Sequence, residues 1–170
     1  MSRRTLRALA RAAYRYDASA YPTPLLLPAR ILLAMKSAHP AAVLRLQIWP
    51  FTWDRAPHEF EGVREFPLAV TPGLRLPVYH TALYFSDEAR FHRRLDGFAR
   101  RGESLSYVLH AVDALGLAED RVDPRLAGHP GMRRALAEKL SMLDRALVRI
   151  AGAFDVLPFA ERLEGPPAPS

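Results

Sequence analysis

The 170-residue chain has no cysteine, which excludes disulfides, a thiolate nucleophile and any zinc site built on cysteine. Lysine is almost as rare, since Lys36 and Lys139 are the only two among 24 lysine and arginine residues. The hydrophobic fraction of 49% and the charged fraction of 25% are typical of a globular chain that is long enough to bury a core.

Long apolar runs are missing as well. The stretch from Leu25 to Met35 is interrupted by Pro28 and Arg30, and it is shorter than the roughly 20 residues that cross a bilayer. It also lies too far along the chain for a secretory signal. These features predict a cytoplasmic or membrane-peripheral protein, with no transmembrane span.

Several catalytic signatures are absent, namely glycine-rich phosphate loops, the Gly-x-Ser-x-Gly elbow and the His-Glu-x-x-His zinc motif. No two of the six histidines stand three or four positions apart, so no pair of metal ligands on one helix face is predicted. We therefore expect no metal or other cofactor to be held by this chain alone.

The formal net charge of +6 raises the question of a nucleic-acid or membrane partner. The arginines are scattered, however, and an excess of Arg, Ala, Pro and Leu is typical of a GC-rich genome. An arginine-rich first helix could still lie on anionic lipid. Nucleic acid is therefore an unlikely partner, and a basic membrane-surface or nucleic-acid binder is the weakest of the functional alternatives.

The patterning predicts helices alternating with a few strands. A serine N-cap at Ser86 opens one helix, which ends before Gly102. The longest helix is predicted over residues 131–154, and its apolar residues form a stripe that we expect to face the core: Met132, Leu136, Leu140, Leu143, Leu147 and Ile150. The other predicted helices span residues 3–13 and 28–36, and the predicted strands span residues 14–16, 63–70, 105–109 and 154–157. A packed aromatic loop around Trp53 is expected between prolines.

The most informative stretch runs from Leu105 to Asp113. It reads as a short buried strand that delivers His110 and Asp113 to its C-terminal end, where α/β folds place their chemistry. A strand-end histidine held by a loop carbonyl is the alternative interpretation.

Three segments together resemble the polysaccharide deacetylases of the NodB-homology class. Residues 13–22, Ala-Tyr-Arg-Tyr-Asp-Ala-Ser-Ala-Tyr-Pro, are similar to that family's GYRYDSSxxP segment. Residues 64–67, Arg-Glu-Phe-Pro, with Leu76-Pro77 after them, are similar to its EFPxS…LP segment. Residues 105–113 are similar to its late YLHPxE/D segment, although Ala111 stands where the family usually has proline.

This resemblance implies a fold, a reaction and a set of site residues. The fold class would be α/β, an incomplete distorted (β/α) barrel of a few strands with flanking helices. The reaction would be hydrolysis of N-acyl groups on an amino-sugar polymer or a lipid-linked sugar, with a divalent metal, usually zinc. His110 would be the general acid, Asp113 would orient it or line the groove, and Asp17 would tune the site. Substrate contacts would come from Tyr79, His80 and Trp53.

The resemblance also implies that the metal-binding half of the enzyme is missing. The family's Asp-Asp pair and His-x-x-x-His ligands precede the segment that contains Asp17. We therefore expect residues 1–163 to form the C-terminal part of a deacetylase-like barrel, inactive alone, with a disordered proline-rich tail at residues 164–170. Self-association or a separate N-terminal half is expected. The main alternative is a non-catalytic sugar- or partner-binding module that keeps the groove.

Overall fold

A computed structural model describes residues 3–25, Met35 and residues 54–164 of the chain. These residues divide into two compact units, one formed by Met1–Pro77 with Leu157–Ser170 and the other by Val78–Val156. The predicted helix over residues 28–36, apart from Met35, lies outside the described residues, as do the loop around Trp53 and the tail from residue 165.

The first unit is built on a three-stranded open sheet. Helix α1 (Arg3–Arg11) precedes strand β1 (Tyr16–Asp17), and strands β2 (His58–Phe60) and β3 (Val63–Glu65) follow. The strand order is β1-β3-β2, with β1 parallel and β2 antiparallel to β3. The last element of this unit is helix α5 (Phe159–Glu164). The observed class is thus mixed helix and strand, and these described residues show an open sheet.

A tight hairpin joins β2 to β3. Glu61 and Gly62 both have positive φ, 53° and 79°, as a two-residue turn that matches the twist of the strands requires. The guanidinium of Arg7 on α1 donates two hydrogen bonds to the carboxylate of Glu61, at 2.7 and 3.0 Å. Strand β2 carries no strand pattern in the sequence, because its three residues lack an apolar alternation.

Strand β3 is shorter than the predicted strand over residues 63–70. Pro67 has no N–H to donate, and the regular ladder ends at Glu65. The chain nevertheless stays extended beside β1, because Phe66 N–H donates to Asp17 O at 2.8 Å and Leu68 N–H donates to Ala20 O at 2.8 Å. The bend at Pro67 therefore keeps the segment attached without extending the strand.

The second unit is helical. It contains helix α2 (His80–Leu83), helix α3 (Glu88–Arg100), two 3₁₀ turns (Ala111–Ala114 and Pro124–Gly128) and helix α4 (Leu136–Ala153). The predicted strand over residues 105–109 is wrong, since these residues are extended but have no strand partner among the described residues. Residues 154–157 likewise form no strand.

The buried face of helix α3 was predicted correctly, but its N-cap residue was not. Phe91, Leu95 and Phe98 are all buried, as their spacing indicates. The N-cap is Asp87 instead of Ser86, and its carboxylate accepts a hydrogen bond from Arg90 N–H at 2.9 Å. A carboxylate suits this position because it also neutralises the positive end of the helix dipole.

Helix α4 turns only part of the predicted stripe to the core, since Ile150 is buried as predicted while two of the leucines are exposed. Its buried residues are Lys139, Met142, Ala146 and Ile150, whereas Leu140 and Leu147 are 44% and 41% exposed. The helix also begins at Leu136, five residues later than residue 131. Its outer edge is tied to α3 by the ion pairs Arg145–Glu88 and Arg149–Asp96. The buried lysine shifts the packed face away from the leucines.

Because Met142 is buried and Leu147 is exposed, truncating these two side chains of α4 should lower the free energy of unfolding by different amounts. Met142→Ala should lower the free energy of unfolding by about 2–4 kcal/mol, because it removes a buried side chain and leaves a cavity. Leu147→Ala, the matched exposed position, should cost well under about 1 kcal/mol. Urea unfolding of both variants measures the difference, and a larger loss at Leu147 would restore the predicted stripe.

Candidate active site

The extended segment that ends at His110 is anchored before it reaches the histidine. Val108 O accepts a hydrogen bond from His80 N–H at 3.1 Å, which joins this segment to the start of α2. His110 then begins the 3₁₀ turn Ala111–Ala114. The turn closes on itself, because Asp113 N–H donates to His110 O at 2.9 Å and His110 N–H donates to Asp113 Oδ2 at 2.8 Å.

The ring of His110 is half in solvent while its partner is not. The His110 side chain is 49% exposed, and that of Asp113 is 1% exposed. His110 Nδ1 lies 3.2 Å from Thr81 Oγ1 and 3.7 Å from Asp113 Oδ2. Both contacts involve Nδ1, which leaves Nε2 as the ring nitrogen that is available to a ligand. A buried carboxylate behind an accessible imidazole is the arrangement that orients a histidine for proton transfer.

A buried lysine holds the turn from beneath. Lys139 on α4 is fully buried, and its ammonium donates to Val112 O at 2.6 Å and to Leu115 O, with Met132 Sδ at 3.3 Å. Burial lowers the pKa of Lys139, and the negative charge of Asp113 opposes that effect. The two carbonyl groups sit on either side of Asp113, so this ammonium fixes the stretch of backbone that carries the carboxylate.

His80 lies in the interior next to this turn. Its side chain is fully buried, and burial lowers its pKa, so the imidazole is neutral near pH 7. Its Nδ1 is 2.9 Å from the hydroxyl of Tyr107. The structure thus places His80, which the sequence predicts as a substrate contact, in the interior of the second unit.

The first unit contains a separate pair of carboxyl groups. Asp17 Oδ2 accepts hydrogen bonds from Ser19 Oγ at 2.7 Å and Ser19 N–H at 3.3 Å. Glu65, opposite Asp17 in the β1–β3 register, is 3% exposed and accepts from Ala20 N–H at 3.0 Å. Burial raises the pKa of Glu65 to about 7, and the neighbouring Asp17 adds to the rise. Glu65 therefore exchanges its proton close to neutral pH.

Asp17 also lines a cavity of about 620 Å³ in the first unit, together with Leu9 and Tyr14 and with Ala160 and Leu163 of α5. This cavity is open to solvent. It makes Asp17 accessible from the side of α1 and α5.

The second unit brings four of the six predicted site residues together. Tyr79 lies beside His110, with ring centroids 6.1 Å apart, while His80 and Asp113 lie beneath it. Asp17 belongs to the first unit, and Trp53 lies outside the described residues. The side chain of Asp113 is buried, and one of its oxygens accepts a hydrogen bond from His110 N–H.

Four further residues shape these clusters and were not predicted as site residues: Glu65, Thr81, Tyr107 and Lys139. Lys139 carried a usable signal, since it is one of two lysines in an arginine-rich chain and interrupts an apolar stripe. Tyr107 lies inside the Leu105–Asp113 segment itself. Nothing in the sequence marked Thr81, because its contact with His110 spans 29 positions.

The part of the chain that the structure describes contains no group of three His, Cys, Asp or Glu side chains that could hold a metal ion. In the same residues, no helix combines the length and apolar character needed to cross a membrane. Comparisons with protein-family models, with curated proteins and with solved structures found no match for the chain.

Replacing the buried ammonium should weaken the second unit. Lys139→Met should lower the free energy of unfolding by about 2–3 kcal/mol, because it leaves Val112 O and Leu115 O buried without their donor. Leu140→Met, the same new side chain at the next and exposed position, should change it by less than about 0.5 kcal/mol. Thermal and urea unfolding compare the two; equal stability of both variants would contradict the assigned role of Lys139.

The raised pKa of Glu65 predicts a dependence of stability on pH. The folded chain keeps the Glu65 proton up to about pH 7, whereas the unfolded chain loses it near pH 4.5. The folded state therefore binds more protons between these values, and the free energy of unfolding should fall by about 3 kcal/mol as the pH rises through them. Above about pH 7 this contribution stays constant.

Glu65→Gln should remove this slope while keeping an oxygen acceptor for Ala20 N–H. Glu59→Gln, at an exposed position on β2, is the control and should keep the slope. Urea unfolding at intervals from pH 4 to pH 8 supplies the measurement. A slope that survives in Glu65→Gln would show that another group produces it.

Proposed function

We propose that this chain is the C-terminal portion of a metal-dependent carbohydrate N-deacetylase, which hydrolyses N-acyl groups on amino sugars. The substrate would be an amino-sugar polymer or a lipid-linked sugar. The proposal combines the three-segment resemblance with the geometry around His110. In this proposal the open sheet of the first unit is a piece of an incomplete (β/α) barrel.

The observation that carries the proposal is the pairing of an accessible imidazole with a buried carboxylate. His110 is half exposed, its Nδ1 faces Thr81 and Asp113, and Asp113 is held by the backbone N–H of His110 itself. A histidine that served structure alone would not need a half-exposed ring beside a buried carboxylate. General acid catalysis needs this geometry, since one nitrogen meets the substrate while the other is oriented.

His110 would supply the proton in the bond-breaking step. Water adds to the amide carbonyl carbon, the C–N bond then breaks, and the leaving amine takes the proton from His110 Nε2. The products are the free amine of the sugar and a short carboxylic acid. Asp113 Oδ2 lies 3.7 Å from Nδ1 of this imidazole, and the contact between Nδ1 and Thr81 limits rotation of the ring.

The metal that the family uses does not fit the described residues of this chain, because they include no three-ligand cluster. We therefore derive no step through a metal. In the proposal the metal ligands belong to the family's Asp-Asp and His-x-x-x-His segments, supplied by a separate N-terminal half. Asp17, accessible from its cavity, is the residue of the first unit that would serve such a site.

The test is a substitution of His110 in a reconstituted enzyme. The chain is co-expressed with an N-terminal half that carries the Asp-Asp and His-x-x-x-His motifs, and release of acetate from N-acetylated oligosaccharides is followed. His110→Ala should lower kcat by about a hundredfold or more, since a general acid typically contributes that much. Its melting temperature should hardly change, because the ring is half exposed.

His58→Ala is the matched control, a partly exposed histidine on β2 outside the candidate site, and it should keep full activity. Loss of stability in His110→Ala with unchanged kcat would return His110 to a structural role. Binding of the oligosaccharide with no turnover in the wild-type complex would instead favour the sugar-binding alternative.

A further inference from the structure

Three buried polar atoms near Asp113 lack a partner with good hydrogen-bond geometry among the described residues. They are Asp113 Oδ1, Tyr84 Oη and His80 Nε2. Buried polar atoms in folded proteins are nearly always paired, directly or through an ordered water. Three such atoms in neighbouring side chains therefore indicate that they share one set of hydrogen bonds, and not that each of them independently lacks a partner.

The side chains that carry these atoms lie close together. The rings of His80 and Tyr84 are 5.4 Å apart and nearly perpendicular, and those of His80 and Tyr107 are 6.2 Å apart. His80 and Thr81 are consecutive on α2, and Thr81 contacts His110 at 3.2 Å. The charge of Asp113 influences His80, Tyr84 and Tyr107 alike, and it raises the pKa of Tyr84 in addition to the larger effect of burial.

The donors and acceptors in this cluster are complementary. Burial raises the pKa of both tyrosines, so each hydroxyl keeps its proton at neutral pH. When Tyr107 donates its proton to Nδ1 of the neutral His80, the histidine carries its own proton on Nε2. The cluster then holds two unused donors, Tyr84 O–H and His80 Nε2–H, and one unused acceptor, Asp113 Oδ1.

We propose that Tyr107, His80 and Tyr84 form a buried hydrogen-bond network that holds the carboxylate of Asp113 under His110. His80 donates from Nε2 toward Asp113 Oδ1, directly or through one buried water, and Tyr84 donates to the same oxygen. The other oxygen of Asp113 is occupied by His110 N–H. The effect of this network on catalysis rests on the proposed function, whereas the network itself does not.

The network makes His80, Tyr84 and Tyr107 positioning residues, since His80 is fully buried and the two tyrosines are partly buried, whereas His110 is half exposed. With one oxygen bound on each side, Asp113 has no freedom to rotate away from the imidazole. Side chains that hold a site residue in place without touching the substrate typically change activity by about 10- to 100-fold when they are removed. Other groups also face this site: Lys139 from α4, and Tyr79 and His129, whose rings lie 6.1 and 6.3 Å from that of His110.

The first test measures the tautomer of His80 by ¹⁵N NMR on the complete chain. We expect protonated Nε2 and unprotonated Nδ1 in the wild type between pH 7 and pH 8. Tyr107→Phe removes the donor to Nδ1 without changing the shape of the ring, so it should produce a mixture of tautomers. Tyr14→Phe, at an exposed position of the first unit, is the control and should leave the His80 signals unchanged.

Protonated Nδ1 in the wild type would overturn the network, and so would a tautomer that Tyr107→Phe leaves unchanged. A melting temperature alone would not distinguish loss of the network from loss of packing, because either one lowers it. The tautomer of His80 distinguishes them, since it reports the direction of the hydrogen bond between Tyr107 and His80.

The second test uses Tyr84→Phe in the reconstituted deacetylase. Removal of one donor to Asp113 should lower kcat by about tenfold with KM unchanged, because substrate contacts are untouched. An unchanged kcat in an active enzyme would contradict the positioning role of Tyr84. If the wild-type complex shows no turnover at all, the proposed function fails, and the NMR result on His80 still decides whether the network exists.

Discussion

The second unit depends on the burial of one ammonium group. The ammonium of Lys139 lies in the interior, where its charge is tolerated because two carbonyl oxygens accept its hydrogen bonds and the carboxylate of Asp113 is nearby. Those carbonyls belong to the turn that presents His110 to solvent. The buried ammonium of Lys139 thus fixes the backbone that carries the buried carboxylate of Asp113, and Asp113 in turn holds the half-exposed imidazole of His110.

The first unit also buries an ionisable group, in this case the carboxyl group of Glu65. Glu65 is enclosed between β1 and the segment at Ala20, where its carboxyl group accepts a hydrogen bond from a backbone N–H. Its carboxyl group therefore retains a proton that an exposed glutamate would release. Asp17, opposite it in the register, keeps its own hydrogen bonds to Ser19. Two carboxyl groups on adjacent strands are in this way given different chemistry.

Local pattern predicted the elements whose stability is local. Helix α3 has its buried face where the spacing of Phe91, Leu95 and Phe98 places it, because an amphipathic helix needs only its own periodicity to be recognised. The leucines of α4 gave a wrong prediction because the packed face of this helix depends on a contact outside the helix. Hydrophobicity alone favours burying Leu140 and Leu147, but the helix rotates to bring Lys139 to the turn that requires its donors.

By itself, the sequence determined the mixed helix-and-strand class and the helical stretches of α1, α3 and α4. It also determined the segment in which His110 and Asp113 stand three residues apart, since all of these follow from composition, periodicity and short spacing. Only the tertiary structure decided that this segment is no strand, that Asp113 and His80 are buried while His110 is half exposed, and that Thr81, Tyr107 and Lys139 surround them. Contacts across 24 to 29 positions leave no periodic trace in a sequence, because they depend on how packed elements meet and not on the order of residues within any one of them.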